Sequence, residues 1–76
     1  MKAIVWSKPD CPYCDRAKSL LESRGIDYEE RKIGSGWTRE QLLEAMPGVR
    51  SVPQIWIDEQ YVGGWPELQN TLRSAA

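Results

Sequence analysis

An α/β fold in the order βαβαββα, one mixed four-stranded sheet flanked by helices, follows from three features of the sequence. Short runs rich in β-branched and aromatic residues alternate with stretches whose apolar residues recur at helical spacing. The first two such runs flank a segment long enough for a helix, which makes them parallel strands joined by a right-handed crossover. The last two are separated only by Asp58-Glu59, a spacing that suits an antiparallel hairpin. All 76 residues are assigned to a single domain, 1–76. A chain of that length buries only about 60% of the surface its unfolded form exposes, so the core must be thin.

Lys2 to Ser7 (KAIVWS) reads as a strand buried on both faces. Between Pro12 and Arg24 the apolar positions Cys14, Ala17, Leu20 and Leu21 mark a helix, with Pro12 suited to its first position and Gly25 as its stop. Ile26 to Ile33 alternates weakly, as an edge strand facing water does, and its charges read as solvated surface. After Gly34-Ser35-Gly36, Thr38 and Gln41 have capping-box spacing, Leu42, Leu43 and Met46 supply an apolar stripe, and Pro47-Gly48 ends the helix. Pro53 to Ile57 and Gln60 to Val62 are the hairpin strands, and Trp65, Leu68 and Leu72 give the last helix its buried face.

Ten basic and eleven acidic residues give no electrostatic case for nucleic acid or an anionic membrane as partner. The longest apolar run, Ala3 to Trp6, is too short for a membrane span or the centre of a signal peptide, so residence in the cytoplasm is expected. The chain has no histidine, which removes Cys-His nucleophile pairs and the commonest zinc ligand together.

Both cysteines fall in KPDCPYCDRAK, residues 8–18. As a structural crosslink they would close a very short loop, worth ~2 kcal/mol against ~4.7 kcal/mol for a hundred-residue loop in the chain-entropy model. As a zinc site they lack the remaining two ligands of a tetrahedron. The redox reading needs one thiol at a helix start, where free backbone N–H groups and the positive end of the macrodipole stabilise a thiolate. Cys11 holds that place, just beyond the carboxyl end of the first parallel strand, where open α/β sheets present reactive groups. Pro12 stiffens the first turn and leaves the donors of Tyr13 and Cys14 free for the Cys11 sulfur. Lys8 either adds positive charge near that sulfur or is a solvated strand-end lysine. Cys14 shares a helical face with Ala17 and Leu21 and is expected to be the more buried, resolving thiol, with Cys11 as the nucleophile.

At these residues the chain resembles the dithiol glutaredoxins. Three blocks keep the family's order and approximate spacing: SKPDCPYC at 7–14, RSVPQIWID at 50–58 and YVGG at 61–64. The resemblance spans nearly the whole chain and implies a thioredoxin-like fold. It also implies an enzyme, a glutathione-dependent thiol-disulfide oxidoreductase acting on protein disulfides and glutathionylated thiols. Glutathione is the implied co-substrate, ribonucleotide reductase is one candidate client, no metal is expected, and nothing demands more than a monomer. The resemblance further implies a cis peptide at Val52-Pro53 lying against the cysteine pair, whereas the residues alone point to no cis bond and read as a trans proline opening an edge strand. With the cis bond, Val52 turns its N–H and C=O toward the cleft, where they can pair with the backbone of an extended thiol substrate. Gly63-Gly64, otherwise a plain strand-to-helix turn, suits the carboxylate at the γ-glutamyl end of glutathione. Lys8 and Arg39 are assigned to the other carboxylate of the tripeptide, and Tyr13 to a wall of the cleft.

One segment departs from the family. Many glutaredoxins follow the two glycines with a small residue and an aspartate, where this chain has Trp65-Pro66-Glu67. Pro66 supplies neither a backbone donor nor a carboxylate for the γ-glutamyl group. Glu67, one residue on, is the candidate replacement, and Trp65 either packs in the core or overhangs the site. That departure keeps open a glutaredoxin-like redoxin reduced by thioredoxin reductase. A binding module carrying an iron-sulfur cluster on Cys11 and glutathione is the other alternative, against which the rigid Pro12 argues.

Overall fold

The strand β1, Lys2–Ser7, is the central rail on which the other elements are assembled. The computed structural model describes residues 1–74, so the last two residues of the assigned domain lie outside the described residues. The chain continues through α1 (Pro12–Ser23), β2 (Asp27–Lys32), α2 (Arg39–Ala45), β3 (Gln54–Ile57), β4 (Gln60–Gly63) and α3 (Trp65–Ser74). In the sheet the strands lie in the order β2-β1-β3-β4. β1 runs parallel to β2 from Lys2↔Asp27 to Ser7↔Lys32, and antiparallel to β3 from Ala3↔Ile57 to Trp6↔Gln54. The sheet is therefore mixed, as expected.

Local chemistry explains the element ends. At the C-terminus of α1 the Gly25 amide donates to the Glu22 carbonyl at 3.1 Å and the Ile26 amide to the Leu21 carbonyl at 3.0 Å. This double closure needs a left-handed residue, which Gly25 supplies with φ 69°. Thr38 and Gln41 form the reciprocal capping box that starts α2. Asp58 and Glu59 turn the β3–β4 hairpin with φ of 49° and 70°, the paired positive values that match the twist of the flanking strands.

The core is a single cluster in which Ala3 and Val5 of β1 meet Ala17 and Leu21 of α1, Ile55 of β3 and Leu68 of α3. Arg24 at the end of α1 also donates to the Leu72 carbonyl of α3 at 3.0 Å, which ties the two helices on this face together.

Two expectations are corrected. The α2 stripe reduces to Leu42, because Leu43 is exposed and Met46 lies past the helix with an extended φ of −147°. A two-turn helix that stops at Ala45 has only one side-chain position directed fully inward. The charges of β2 are not simply solvated either. Glu30 accepts from the buried Ser7 hydroxyl at 2.7 Å and from the Lys18 ammonium at 2.9 Å, so α1 and the end of β1 cover it.

Candidate active site

Cys11 is the N-cap of α1, with extended backbone angles of φ −118° and ψ 97°. The preceding Asp10, at φ 56°, turns the chain from the end of β1 into the helix; a short polar side chain tolerates this left-handed conformation. The Cys14 amide donates to the Cys11 sulfur at 3.2 Å, and the Asp15 amide donates to the Cys11 carbonyl at 3.1 Å. Pro12 stands at the first helical position. The two cysteines are joined as a disulfide, with their Cα atoms 5.2 Å apart. Cys14 is 1% exposed and Cys11 6%, so the inner sulfur is the one that shares a face with Ala17 and Leu21.

The floor of the α1 N-terminus is a polar clasp between secondary elements. Lys18, one turn beyond Cys14, bridges to Glu30 at 2.9 Å and to Asp15 at 3.4 Å. The Glu30 hydrogen bond is the main reason that the Lys18 ammonium is held above its ordinary pKa. Burial pushes the Glu30 carboxyl up, but the Ser7 hydroxyl and the Lys18 ammonium outweigh it and leave the group below its ordinary value.

Opposite the cysteines, Val52-Pro53 is a cis peptide, and the Val52 carbonyl oxygen lies 3.8 Å from the Cys11 sulfur. Val52 divides the surface into two recesses. A small one, about 100 Å³, is lined by Lys8, Arg39, Arg50 and Val52 together with Leu43. None of the three cations forms an ion pair with another described residue. A larger one, about 430 Å³, is lined by Tyr13, Val52, Pro53, Tyr61, Trp65 and Glu67. Here the Tyr61 hydroxyl donates to the Gln54 side chain at 2.5 Å, and the Gln54 amide donates to the Ser51 carbonyl at 2.9 Å. Burial first, and the Glu67 charge second, push the Tyr61 hydroxyl above its ordinary pKa.

At the α3 N-terminus the Glu67 carboxylate accepts from the Gly64 amide at 2.8 Å. A Cβ on Gly63 would lie 2.8 Å from Glu67 Cγ, so this close fold-back depends on glycine. The carboxylate that sits against the two glycines thus belongs to the chain itself.

The residues singled out in the sequence fall into two sets that meet at Val52. Lys8 and Arg39 share the smaller recess, and Tyr13, Pro53, Gly64, Trp65 and Glu67 share the larger. Gly63 is buried behind Glu67. Trp65 both packs against the core and lines the recess. Arg50, Ser51, Gln54 and Tyr61 were not anticipated. Arg50, Ser51 and Gln54 flank Val52-Pro53 and Tyr61 opens the YVGG block, but the contact of Tyr61 with Gln54 needs the pairing of β3 with β4.

The glutaredoxin family model matches residues 3–62. The chain belongs to the glutaredoxin family. It is 43% identical to glutaredoxin 3 of Escherichia coli K12 over 65 residues, covering 84% of this chain and 77% of the relative. It is 38% identical to a Pseudomonas aeruginosa glutaredoxin over 65 residues, covering 86% of this chain and 77% of that one. Among solved structures, reduced Escherichia coli glutaredoxin superposes with a TM-score of 0.82 at 32% identity, covering 97% of this chain and 95% of that one. A buckwheat glutaredoxin in complex with glutathione gives 0.81 at 27% identity, covering 96% of this chain and 69% of that one. This glutaredoxin therefore has the thioredoxin-like fold, with its CPYC pair at the mouth of β1, and belongs to a family of thiol-disulfide oxidoreductases.

Proposed function

We propose that this glutaredoxin reduces protein disulfides and glutathionylated thiols at the expense of glutathione, with Cys11 as the nucleophile and Cys14 as the resolving thiol. The observation that carries the reading is the Cys11 sulfur at the α1 N-cap, which accepts the Cys14 amide beside the Val52 carbonyl. An amide donor and the positive helix end favour the thiolate, and the thiolate is the form that attacks.

With a glutathionylated substrate, the Cys11 thiolate forms a bond to the glutathione sulfur as the substrate thiolate departs and takes a proton from solvent. A second glutathione thiolate attacks that mixed disulfide, releasing oxidised glutathione and restoring Cys11. With a protein disulfide, Cys11 forms a mixed disulfide with one client sulfur as the other departs as a thiolate and takes a proton from solvent, and the Cys14 thiolate then attacks the Cys11 sulfur. This expels the second client thiol and closes the Cys11–Cys14 bridge. Two glutathiones reduce the bridge in turn, so two glutathiones become one oxidised glutathione for each client disulfide. Val52 serves as the backbone partner of the bound thiol, in the manner of a strand added to an edge. Lys8 and Arg39 meet one carboxylate of glutathione, Tyr13, Pro53 and Trp65 wall the cleft, and Gly63, Gly64 and Glu67 shape its far end. The reading takes the protein as a cytoplasmic monomer, with ribonucleotide reductase among its candidate clients.

The test is a pair of variants assayed on a glutathionylated peptide and on a protein disulfide. Cys11→Ser should abolish both reactions, whereas Cys14→Ser should lose the second and keep the first. Equal loss of deglutathionylation in both variants removes the assigned roles. A second reading, reduction by a thioredoxin reductase, is favoured by one observation: the chain's own Glu67 already occupies the Gly64 amide. Comparing the rates at which glutathione and a thioredoxin reductase reduce the Cys11–Cys14 bridge separates the two.

A further inference from the structure

Resting on the part given to Val52 in the reading above, we propose that Gln54 and Tyr61 are positioning residues for the reaction. Together they orient the Ser51–Val52 peptide group so that the Val52 N–H stands ready for the backbone of a bound cysteine. Both act through Val52, and neither is hydrogen-bonded to a cysteine.

The chain of contacts runs from β4 to the loop that precedes β3. The Tyr61 ring leans on Trp56, with centroids 5.0 Å apart, and its hydroxyl donates to Gln54 Oε1 at 2.5 Å. Gln54 Nε2 in turn donates to the Ser51 carbonyl at 2.9 Å. A carbonyl only accepts, so the Gln54 amide must turn its nitrogen to Ser51 and its oxygen to Tyr61. Gln54 is 6% exposed and bonded at both ends of its amide, which leaves it one orientation.

The Ser51 carbonyl and the Val52 N–H belong to one planar trans peptide group, in which the two bonds point in opposite directions. Holding the carbonyl on Gln54 therefore turns the N–H to the far side. That N–H donates to no described residue, and Val52 lines both recesses of the cleft. Ser51 and Val52 lie outside helix and strand, and the Ser51 carbonyl accepts from no backbone amide, so the Gln54 side chain is what restrains this peptide plane. The Val52 carbonyl, for its part, lies 3.8 Å from the Cys11 sulfur. A cysteine entering in extended form thus finds a donor and an acceptor of one residue beside the sulfur that attacks it.

The experiment follows thiol-disulfide exchange at Cys11, in a Cys14→Ser background, with two uncharged disulfides. One is the disulfide of N-acetylcysteine methylamide, which has a peptide group on each side of the cysteine. The other is bis(2-hydroxyethyl) disulfide, which has none. In each reaction the Cys11 thiolate bonds to one sulfur, and the other leaves as a thiolate that takes a proton from solvent. The ratio of the two rates within each protein cancels the reactivity of Cys11 itself. With Gln54 and Tyr61 intact the ratio should exceed that given by mercaptoethanol as the attacking thiol. Tyr61→Phe, which keeps the ring and loses the hydroxyl, and Gln54→Glu, which keeps the acceptor and loses the donor, should each lower it about three- to tenfold. The double variant should fall no further than Gln54→Glu alone, because both residues act through one bond. A ratio unmoved in the single variants, a starting ratio no higher than that of mercaptoethanol, or losses that add in the double variant each overturn the proposal. Tyr61→Phe decides the matter should Gln54→Glu fail to fold. Reduction of the Cys11–Cys14 bridge by glutathione is measured alongside in the unaltered protein. Its absence removes the glutathione reading, whereas the ratios involve no glutathione and still decide the present proposal.

Discussion

The Cys14 amide donates to the Cys11 sulfur across 3.2 Å, from within the same first turn of α1. Because that bond and the helix end both favour negative charge, the reduced Cys11 thiol should ionise below the ~8.5 of an ordinary cysteine. The rate of iodoacetamide alkylation against pH, measured in Cys14→Ser so that one thiol reports, gives the midpoint. A midpoint at the ordinary value would sink the assignment of Cys11 as nucleophile.

Glu30 carries a pH dependence of known sign. Its folded pKa is depressed by Ser7 and Lys18, so its contribution to stability is complete above the unfolded value of about 4.3 and disappears as the pH falls through the folded one. The raised pKa of Lys18 contributes stability that is complete below about 10.4 and is lost as the pH rises through the folded value. Replacing Glu30 by Gln should cost about 1 kcal/mol near neutrality. Urea midpoints of the two proteins should begin to converge as the pH falls below the unfolded value of about 4.3, and meet once it has passed the depressed folded value of Glu30. A constant gap down to pH 2 contradicts the ionic nature of the clasp.

Gly63 has φ 124°, and a Cβ there would lie 2.8 Å from Glu67 Cγ. Gly63→Ala therefore meets both backbone strain and a clash, and is expected to destabilise the protein by about 1–3 kcal/mol. A melting temperature within one or two degrees of wild type would show that the β4–α3 junction yields enough to accept a Cβ at position 63.

Arg31 packs against two indoles, its Cζ 5.4 Å from the Trp6 ring and 4.5 Å from the Trp37 ring, and those rings pack edge to face at 5.3 Å. Arg31→Ala should cost about 0.5–2 kcal/mol of stability and increase acrylamide quenching of tryptophan fluorescence as Trp37 is freed. Arg31→Lys should recover part of both, because the charge remains but the planar stacking does not. Quenching unchanged in Arg31→Ala would mean that Trp37 is held without the guanidinium, by Trp6 and by its backbone bridge to Ile33.

Much of the fold was legible because its signals are local. Pro12 and Gly25 bound α1, Thr38 and Gln41 cap α2, and Asp58-Glu59 sets the hairpin, each through interactions within a few residues. The candidate site was legible to the same depth. Cys11, Pro12 and Cys14 lie in one turn, so position along the chain already places the sulfur against the amide. The partial burial of Glu30 was not legible, since its partners Ser7 and Lys18 come from two other elements and a charged edge strand reads as solvated. The role of Tyr61 was hidden for the same reason: its contact with Gln54 exists only across the β3–β4 pair.

Sequence alone determined the order of elements, the crossover between the first two strands, and a cysteine at a helix start, because helical period, capping and turn chemistry act over one or two turns of chain. Only the tertiary structure decided which residues share a recess. It set Arg50 beside Lys8 and Arg39, and it folded Glu67 back onto Gly64. The sign of each half of the cleft depends on distances between segments brought together by the sheet, and no local rule of spacing carries that information.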